Sequence, residues 1–307
     1  MSTLAKRRIV DPVLTELARG YSNNAFVGPK LFPIVEVEKE GGKIPQFTKE
    51  AFKIYNTERA IRARSNRINP ELHTSIDVVL GEHDLEYPLD YREEAENVTP
   101  LRMHATNVVT EGISIRLEKM IADLAQTLST YPTGNKITLT AGSRYDEATV
   151  DPMSSIDIGI NAVRSKIGKR PNVGIMGYAT FMALKNNPKI LERIKYSERA
   201  VVTVDMLKQL LGLEQLYVGD SVYSTDAGIF TDIWNDNFIL AYVPNVVGTA
   251  PRSVYEPSFA YTLRKKGFPV IDSYDESGKV SIIRNTDIFV PKVVGSEAGY
   301  LINDTNT

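Results

Sequence analysis

The sequence predicts an α+β protein in which a long helix carries a β-sheet, with a separate α/β unit inserted between the two halves of that sheet. Three observations lead there. From Thr99 to Ser129, apolar residues recur three and four apart (Leu101, Ala105, Val108, Gly112, Ile115, then Leu117, Ile121, Leu124, Leu128), the stripe of an amphipathic helix roughly 45 Å long. Strands and helices alternate from Ser155 to Val243. Strand-like segments with few helical signals lie on both sides of these two regions.

Taken in order, residues 1–33 read as an arm: Val13-Leu14 and Leu17-Ala18 suggest one short helix, and Gly20, Asn23, Asn24, Gly28 and two prolines then extend the chain. Residues 34–73 read as an extended two-stranded finger. Ile34, Val35 and Val37 alternate with Glu36 and Glu38, Gly41-Gly42 interrupts, Ile44 to Phe47 resumes, and Ile61 and Ala63 alternate with Arg62 and Arg64. A hairpin so poor in apolar residues is marginal by itself and needs a surface to lie on. Residues 74–154 hold an acidic strand region and the helix, with Thr99 expected at its N-cap and Pro100 at its first position.

The inserted unit, residues 155–243, is expected to contain a helix through Ile156, Ile160, Val163 and Ile167 stopped by Gly168, a buried strand Val173–Gly177, and helices Tyr178–Leu184 and Ile190–Ile194. A helix capped by Asp205 and closed by Gly212 follows, and then strands at Leu216–Val218 and Phe238–Val243. Residues 244–307 return to strands at Ala260–Leu263, Phe268–Ile271 and Val280–Ile283, the last two joined by a turn at Asp275-Glu276-Ser277-Gly278. These are expected to rejoin the sheet on the long helix.

Charge is divided unevenly. Residues 1–75 carry 13 Lys and Arg against 8 Asp and Glu, although the whole chain has a net charge of -2. Arg59, Arg62, Arg64 and Arg67 fall within nine positions of the finger, while residues 76–97 hold eight carboxylates against Arg92 alone. A basic finger followed by an acidic platform suggests pairing between copies, Arg59, Arg62, Arg64 and Arg67 of one with Glu93, Glu94 and Glu96 of the next.

Composition narrows the function. Hydrophobic residues at 42% and charged residues at 24% are those of a folded globular chain, and the small negative charge argues against a dedicated nucleic-acid binder. The longest apolar run, Phe238–Val243, is far short of the ~20 residues that span a bilayer, so no membrane partner is expected. Lys6-Arg7-Arg8 is followed by no apolar stretch of a signal peptide. Cysteine is absent, which excludes disulfides and thiolate chemistry. Gly41-Gly42-Lys43-Ile44 lacks the spacing and hydroxyl of a phosphate loop, and Gly174-Ile175-Met176-Gly177 lacks that of a dinucleotide fingerprint. His73, His83 and His104 form no metal-clamping pair, Asp226, Asp232 and Asp236 have the wrong spacing for a calcium loop, and no Gly-x-Ser-x-Gly elbow occurs. No catalytic residue, metal or cofactor is expected.

The order of segments and a set of local motifs carry a resemblance. Phe26-Val27-Gly28-Pro29-Lys30-Leu31-Phe32-Pro33 precedes the finger, Glu86-Tyr87-Pro88-Leu89-Asp90 precedes the helix, and Asn172-Val173-Gly174-Ile175-Met176-Gly177 leads into the next helices. Val202–Leu207, Tyr217–Tyr223, Pro257–Thr262 and Gly295–Ile302 complete the set. Over nearly the whole chain this resembles the major capsid proteins of tailed bacteriophages, the Hong Kong ninety-seven fold.

The resemblance implies an N-arm (1–33), an E-loop (34–73), a peripheral domain in two parts (74–154, with spine helix 99–129, and 244–307) and an axial domain (155–243). It implies a non-enzymatic subunit that self-assembles into hexamers and pentamers of an icosahedral head around double-stranded DNA, contacted without sequence preference. A portal, a separate scaffolding protein and a decoration protein would be its partners, and assembly in the host cytoplasm would place it in the virion. Some family members weld neighbours by Lys–Asn isopeptide bonds. Lys43, Lys49, Lys53, Asn285 and Asn303 are present here, but no motif fixes a pair. The alternatives are an encapsulin-like nanocompartment shell and, from another class, a soluble α/β enzyme with an unusually long helix.

Overall fold

The structure is a computed structural model that describes residues 9–20, 26–45, 54, 56–67, 75–96, 100–194, 202–225, 227–244, 256–276 and 278–306. Its axis is the helix Leu101–Gln126, 26 residues and about 39 Å long. It begins one residue later than the sequence suggests. Pro100 is extended (φ -69°, ψ 90°) and occupies the N-cap position, where its carbonyl accepts from the N–H groups of Met103 and His104; Thr99 lies outside the described residues. At the other end Thr127 turns extended and a separate 3-10 turn, Leu128–Thr130, follows, so the helix stops three residues short of Ser129.

The buried ridge also differs from the expected stripe. It runs at strict fours through Ala105, Val109, Ile113, Leu117, Ile121 and Ala125, while Val108 is exposed. Two sheets pack along this ridge. Ile283 and Ile271 meet it beside Ala105, Phe289 and Phe259 share its middle, and Ile175, Ile239 and Leu301 join its far half.

The first sheet has six strands built around Val280–Val293. One side of that strand pairs with Gly81–Asp90 over its length from Val280 to Phe289. The other side takes two partners in succession, Val270–Glu276 and then Ala260–Lys265. Ile9–Val10 and Ile34–Val37 form the two ends of the sheet. The turn expected after Asp275 is present, with Gly278 at φ 67°, a left-handed value that suits glycine.

The second sheet has the order Lys136–Thr138, Gly299–Asn303, Phe238–Ala241, Val173–Gly177, Gln215–Gly219. Its strands alternate sides. Ile175, Ile239 and Leu301 face the long helix, whereas Met176, Phe238, Leu240 and Ile302 face the helix Pro152–Ile167 and its neighbours. That helix starts at Asp151, whose side chain accepts from the Met153 N–H, and ends at Gly168 (φ 68°). The helix Val204–Leu211 is capped by the Thr203 hydroxyl and not by Asp205, which falls in its first turn.

The three strands expected to return do join the first sheet, but a fourth, not expected, goes elsewhere. Gly299–Asn303 does not rejoin the first sheet but lies inside the second, antiparallel to Phe238–Ala241 and parallel to Lys136–Thr138. The α/β unit therefore draws strands from both flanking segments. The reason is burial: Tyr300, Leu301 and Ile302 are each 3% exposed or less, and both sides of that strand need apolar neighbours.

The finger is likewise rearranged. Ile34–Val37 is an edge strand of the first sheet, parallel to Ala260–Lys265. Gly41-Gly42 opens a strand, Gly41–Pro45, instead of interrupting one, and its partner is Ser75–Val79. Residues 61–64 are not a strand: Ile61 and Arg62 form a turn with Arg62 at φ 66°, closed by the Ala63 N–H on the Ala60 carbonyl.

Candidate assembly surfaces

The arginine-bearing part of the finger is a loop braced by its own backbone. The Asn66 Nδ2 donates to the carbonyls of Asn56 (2.8 Å) and Glu58 (2.9 Å), which closes residues 56–66 into one ring, and Arg59 Nη1 donates to the Ala63 carbonyl at 2.8 Å. Every described residue from Asn56 to Arg67 is exposed. Two isoleucines share that exposure, Ile54 at 97% and Ile61 at 93%.

Glu93, Glu94 and Glu96 project from the short helix Tyr91–Glu96, which buries none of its residues. Glu94 accepts from Arg102 Nε at 2.8 Å, a partner on the long helix of the same subunit. Among the described residues, no ion pair joins Arg59, Arg62, Arg64 or Arg67 to these three glutamates within the chain. Of the residues considered for cross-linking, Lys43 faces Asp77 across the finger at 3.9 Å, Asn285 is buried against Thr110, and Asn303 ends its strand half-buried. Lys49 and Lys53 lie outside the described residues.

Two features escaped the sequence reading. Glu118 sits in the buried ridge of the long helix, 1% exposed, and its carboxylate accepts from the N–H groups of Val27 and Gly28 (2.9–3.0 Å) and from Trp234 Nε1 at 2.7 Å. One side chain thus holds the arm, the long helix and the loop before Phe238–Ala241 together. A Cβ on Gly28 would lie 2.5 Å from Glu118 Oε2, so only glycine lets the backbone come this close. Burial pushes the Glu118 carboxyl above the ordinary carboxylate range, and the N–H donors only partly offset it. The signal was there to read: a lone glutamate between Leu117 and Ile121.

The second feature is a cavity of about 990 Å³ between the long helix and the first sheet. Ile113 and Leu117 form one wall, and Phe268 and Pro269 another. The floor is polar: Arg264 Nη2 meets Asp287 Oδ2 at 3.0 Å, and Asn285 Nδ2 donates to Thr110 Oγ1 at 3.2 Å. Burial raises the Asp287 carboxyl above its usual range in spite of Arg264. Arg264 Nε, Asn285 Oδ1 and Asp287 Oδ1 have no hydrogen-bond partner. Exposed Lys30, Glu36 and Lys266 stand at the rim.

An elongated helix flanked by two sheets, an extended finger and an arm tied across the body make a subunit shaped for neighbours. A family profile described as phage major capsid protein E matches residues 28–258. The chain belongs to that family. A curated major capsid protein of Burkholderia phage BcepMu is 53% identical over 306 residues, covering all of both chains, and one of Pseudomonas phage JBD67 is 27% identical over 219 residues, 69% of each. The crystal structure of a phage-related protein from Bordetella bronchiseptica RB50 superposes with a TM-score of 0.83 at 32% identity, covering 97% of this chain and 98% of that one.

Capsid protein E relatives are structural shell proteins and not enzymes, so the chain is a major capsid protein of a phage and a component of the virion. Its fold is the tailed-phage capsid fold. The capsid of cyanophage P-SCSP1u shares it at a TM-score of 0.59 and 10% identity, over 94% of this chain and 92% of that one. The SrpI encapsulin of Synechococcus elongatus shares it at 0.55 and 12%, over 100% and 96%. At such identities the fold alone is common, so it does not separate phage head from nanocompartment; the 53% relative favours the head.

Proposed function

We propose that this capsid protein assembles through its finger into hexamers and pentamers of an icosahedral head. The finger of one subunit lies on the long helix and acidic platform of the next. One observation carries this reading: the exposed loop and its flanks present Arg62, Arg64, Arg67, Ile54 and Ile61 to solvent, beside Arg59, whose one hydrogen bond braces the loop itself. Their counterparts on the neighbour are Glu93, Glu94 and Glu96, exposed beside the start of the long helix. Each contact is weak alone, about 0–1 kcal/mol for an exposed ion pair. A subunit that touches several neighbours adds such contacts at high effective concentration.

In this reading residues 1–33 are the arm, 34–73 the E-loop, 74–154 with 244–307 the peripheral domain and 155–243 the axial domain, whose five-stranded sheet borrows strands 136–138 and 299–303. Axial domains meet head to tail around the five-fold and six-fold axes. The interior holds double-stranded DNA, touched without sequence preference. A separate scaffolding protein, a portal and a decoration protein complete the particle, assembled in the host cytoplasm. Reversing Arg62 and Arg64 to Glu tests the pairing. Circular dichroism and melting of the unassembled subunit should be unchanged, while electron microscopy should show no shells; intact particles from the double variant would refute the assignment.

A further inference from the structure

Across residues 76–307 carboxylates outnumber lysines and arginines by 30 to 23, yet one end of the second sheet reverses that sign. Lys136–Thr138, Gly299–Asn303, Val173–Gly177 and Gln215–Gly219 all begin at this end, and Phe238–Ala241 finishes there. Two connections gather five cations on it. Lys166 Nζ donates to the Thr133 carbonyl at 3.3 Å, which ties the last turn of the helix Pro152–Ile167 to the loop that holds Lys136. Gly168, left-handed at φ 68°, then turns Lys169 and Arg170 back toward the sheet, where Lys169 Nζ donates to the Tyr242 hydroxyl at 3.1 Å. Residues 129–136 and 161–174 contain no carboxylate. Two carboxylates adjoin them through backbone groups, Glu297 at Asn135 and Glu214 at Asn172. Among the described residues, Lys136, Arg164, Lys166, Lys169 and Arg170 enter no ion pair. The dipole of a helix C-terminus favours cations in its last turn, which accounts for Arg164 and Lys166 but not for the other three.

What such a surface accepts follows from what it lacks. A protein partner calls for an apolar centre, and neither residues 129–136 nor residues 161–174 expose a large apolar side chain. A single strand calls for open aromatic rings on which bases stack. Here the Tyr242 ring lies under Lys169 Nζ, 4.8 Å from its centroid, and Tyr131 is buried. Flexible ammonium and guanidinium groups spread over two segments, with Arg164 and Arg170 exposed, suit phosphates strung along a backbone. We propose that this end of the second sheet is the docking surface for the phosphate backbone of duplex nucleic acid, and is therefore turned to the interior of the head. The identity of the partner rests on the head reading above; the choice of surface rests on the charge and the exposed residues alone.

Arg164→Gln with Arg170→Gln removes two exposed cations from this surface. Binding of a random-sequence duplex to the free subunit, followed by fluorescence anisotropy over a salt series, should show a log–log salt slope shallower by about 1.8 in the double variant, since each phosphate contact contributes about 0.9. Lys189→Gln with Lys279→Gln, exposed cations elsewhere, should leave the slope unchanged. A first variant with the slope of the unaltered protein would overturn the proposal, as would an equal loss in the second. The chain has no cysteine, so Arg170→Cys reports on the assembled particle. In empty shells it should react with a small maleimide as fast as in the free subunit, and in DNA-filled heads several-fold more slowly. A maleimide on a polymer too bulky to enter a closed shell should not label it at all. Labelling of closed shells by the bulky reagent would put this end outside, and blocking of the small reagent in empty shells would make it a contact between copies; either result overturns the proposal. Unaltered subunits that form no shells would remove the head reading, while the salt slope still decides whether this surface holds duplex phosphates.

Discussion

The body and the finger of this subunit use the same residue types in opposite surroundings. Ile121 and Ile175 on the long helix and second sheet are fully buried, whereas Ile54 and Ile61 in the finger are 97% and 93% exposed and Val79 at its base is 76% exposed. Full burial of such a side chain is worth roughly 1.5–3 kcal/mol. The body has collected that stabilisation already, and the finger has not. What the contrast teaches is that the subunit folds as one object and is energetically complete only as part of another.

The largest effect should come from the body. Trp234 is 2% exposed, packs where a Cβ on Gly219 would come within 2.3 Å of its ring, and donates to Glu118. Trp234→Ala should cost about 3–5 kcal/mol in urea unfolding of the free subunit; a cost below about 1 kcal/mol would show that the arm and second sheet are not joined there. A smaller effect, with a pH signature, belongs to Glu118. Its Gln variant keeps one acceptor but turns an N–H₂ toward the Gly28 N–H, a loss of about 1–3 kcal/mol. Because the folded-state carboxyl lies above its unfolded value, the folded chain holds the proton more tightly, and this group's contribution falls as pH rises through that window. The advantage of the unaltered protein over Glu118→Gln should therefore narrow as pH rises above the ordinary glutamate value of about 4.5; a widening gap would contradict the burial argument. The smallest effect should be in the finger. Ile54→Ser should shift the free subunit's stability by no more than about 0.5 kcal/mol, and a larger loss would mean that the finger already leans on its own body.

Much of this was legible from residue pattern, and the failures share a cause. Gly168 and Gly212 closed their helices as read, because a left-handed residue after an apolar stripe is a local signal. The strand from Val280 was read as ending at Ile283, yet it runs to Val293. Asn285 and Asp287 occupy positions on its buried face, so polar residues stood where alternation demanded apolar ones. Those same residues floor the cavity. Glu118 was missed likewise, since its donors come from Val27 and Gly28, some ninety positions away. Ile61-Arg62-Ala63-Arg64 alternates as a strand does, yet its backbone turns, closed by the Ala63 N–H on the Ala60 carbonyl and braced by the Asn66 amide. Strand periodicity also says nothing about which sheet a strand joins, so the place of Gly299–Asn303 in the second sheet could not be read from its residues.

The position of Gly299–Asn303, between Phe238–Ala241 and Lys136–Thr138, bears on the order in which the second sheet can be completed. Until translation passes residue 303, the strand Lys136–Thr138 has nothing to pair with, and the inner flank of Phe238–Ala241 stays open. Residues far apart in the chain must therefore be present together before this sheet is complete.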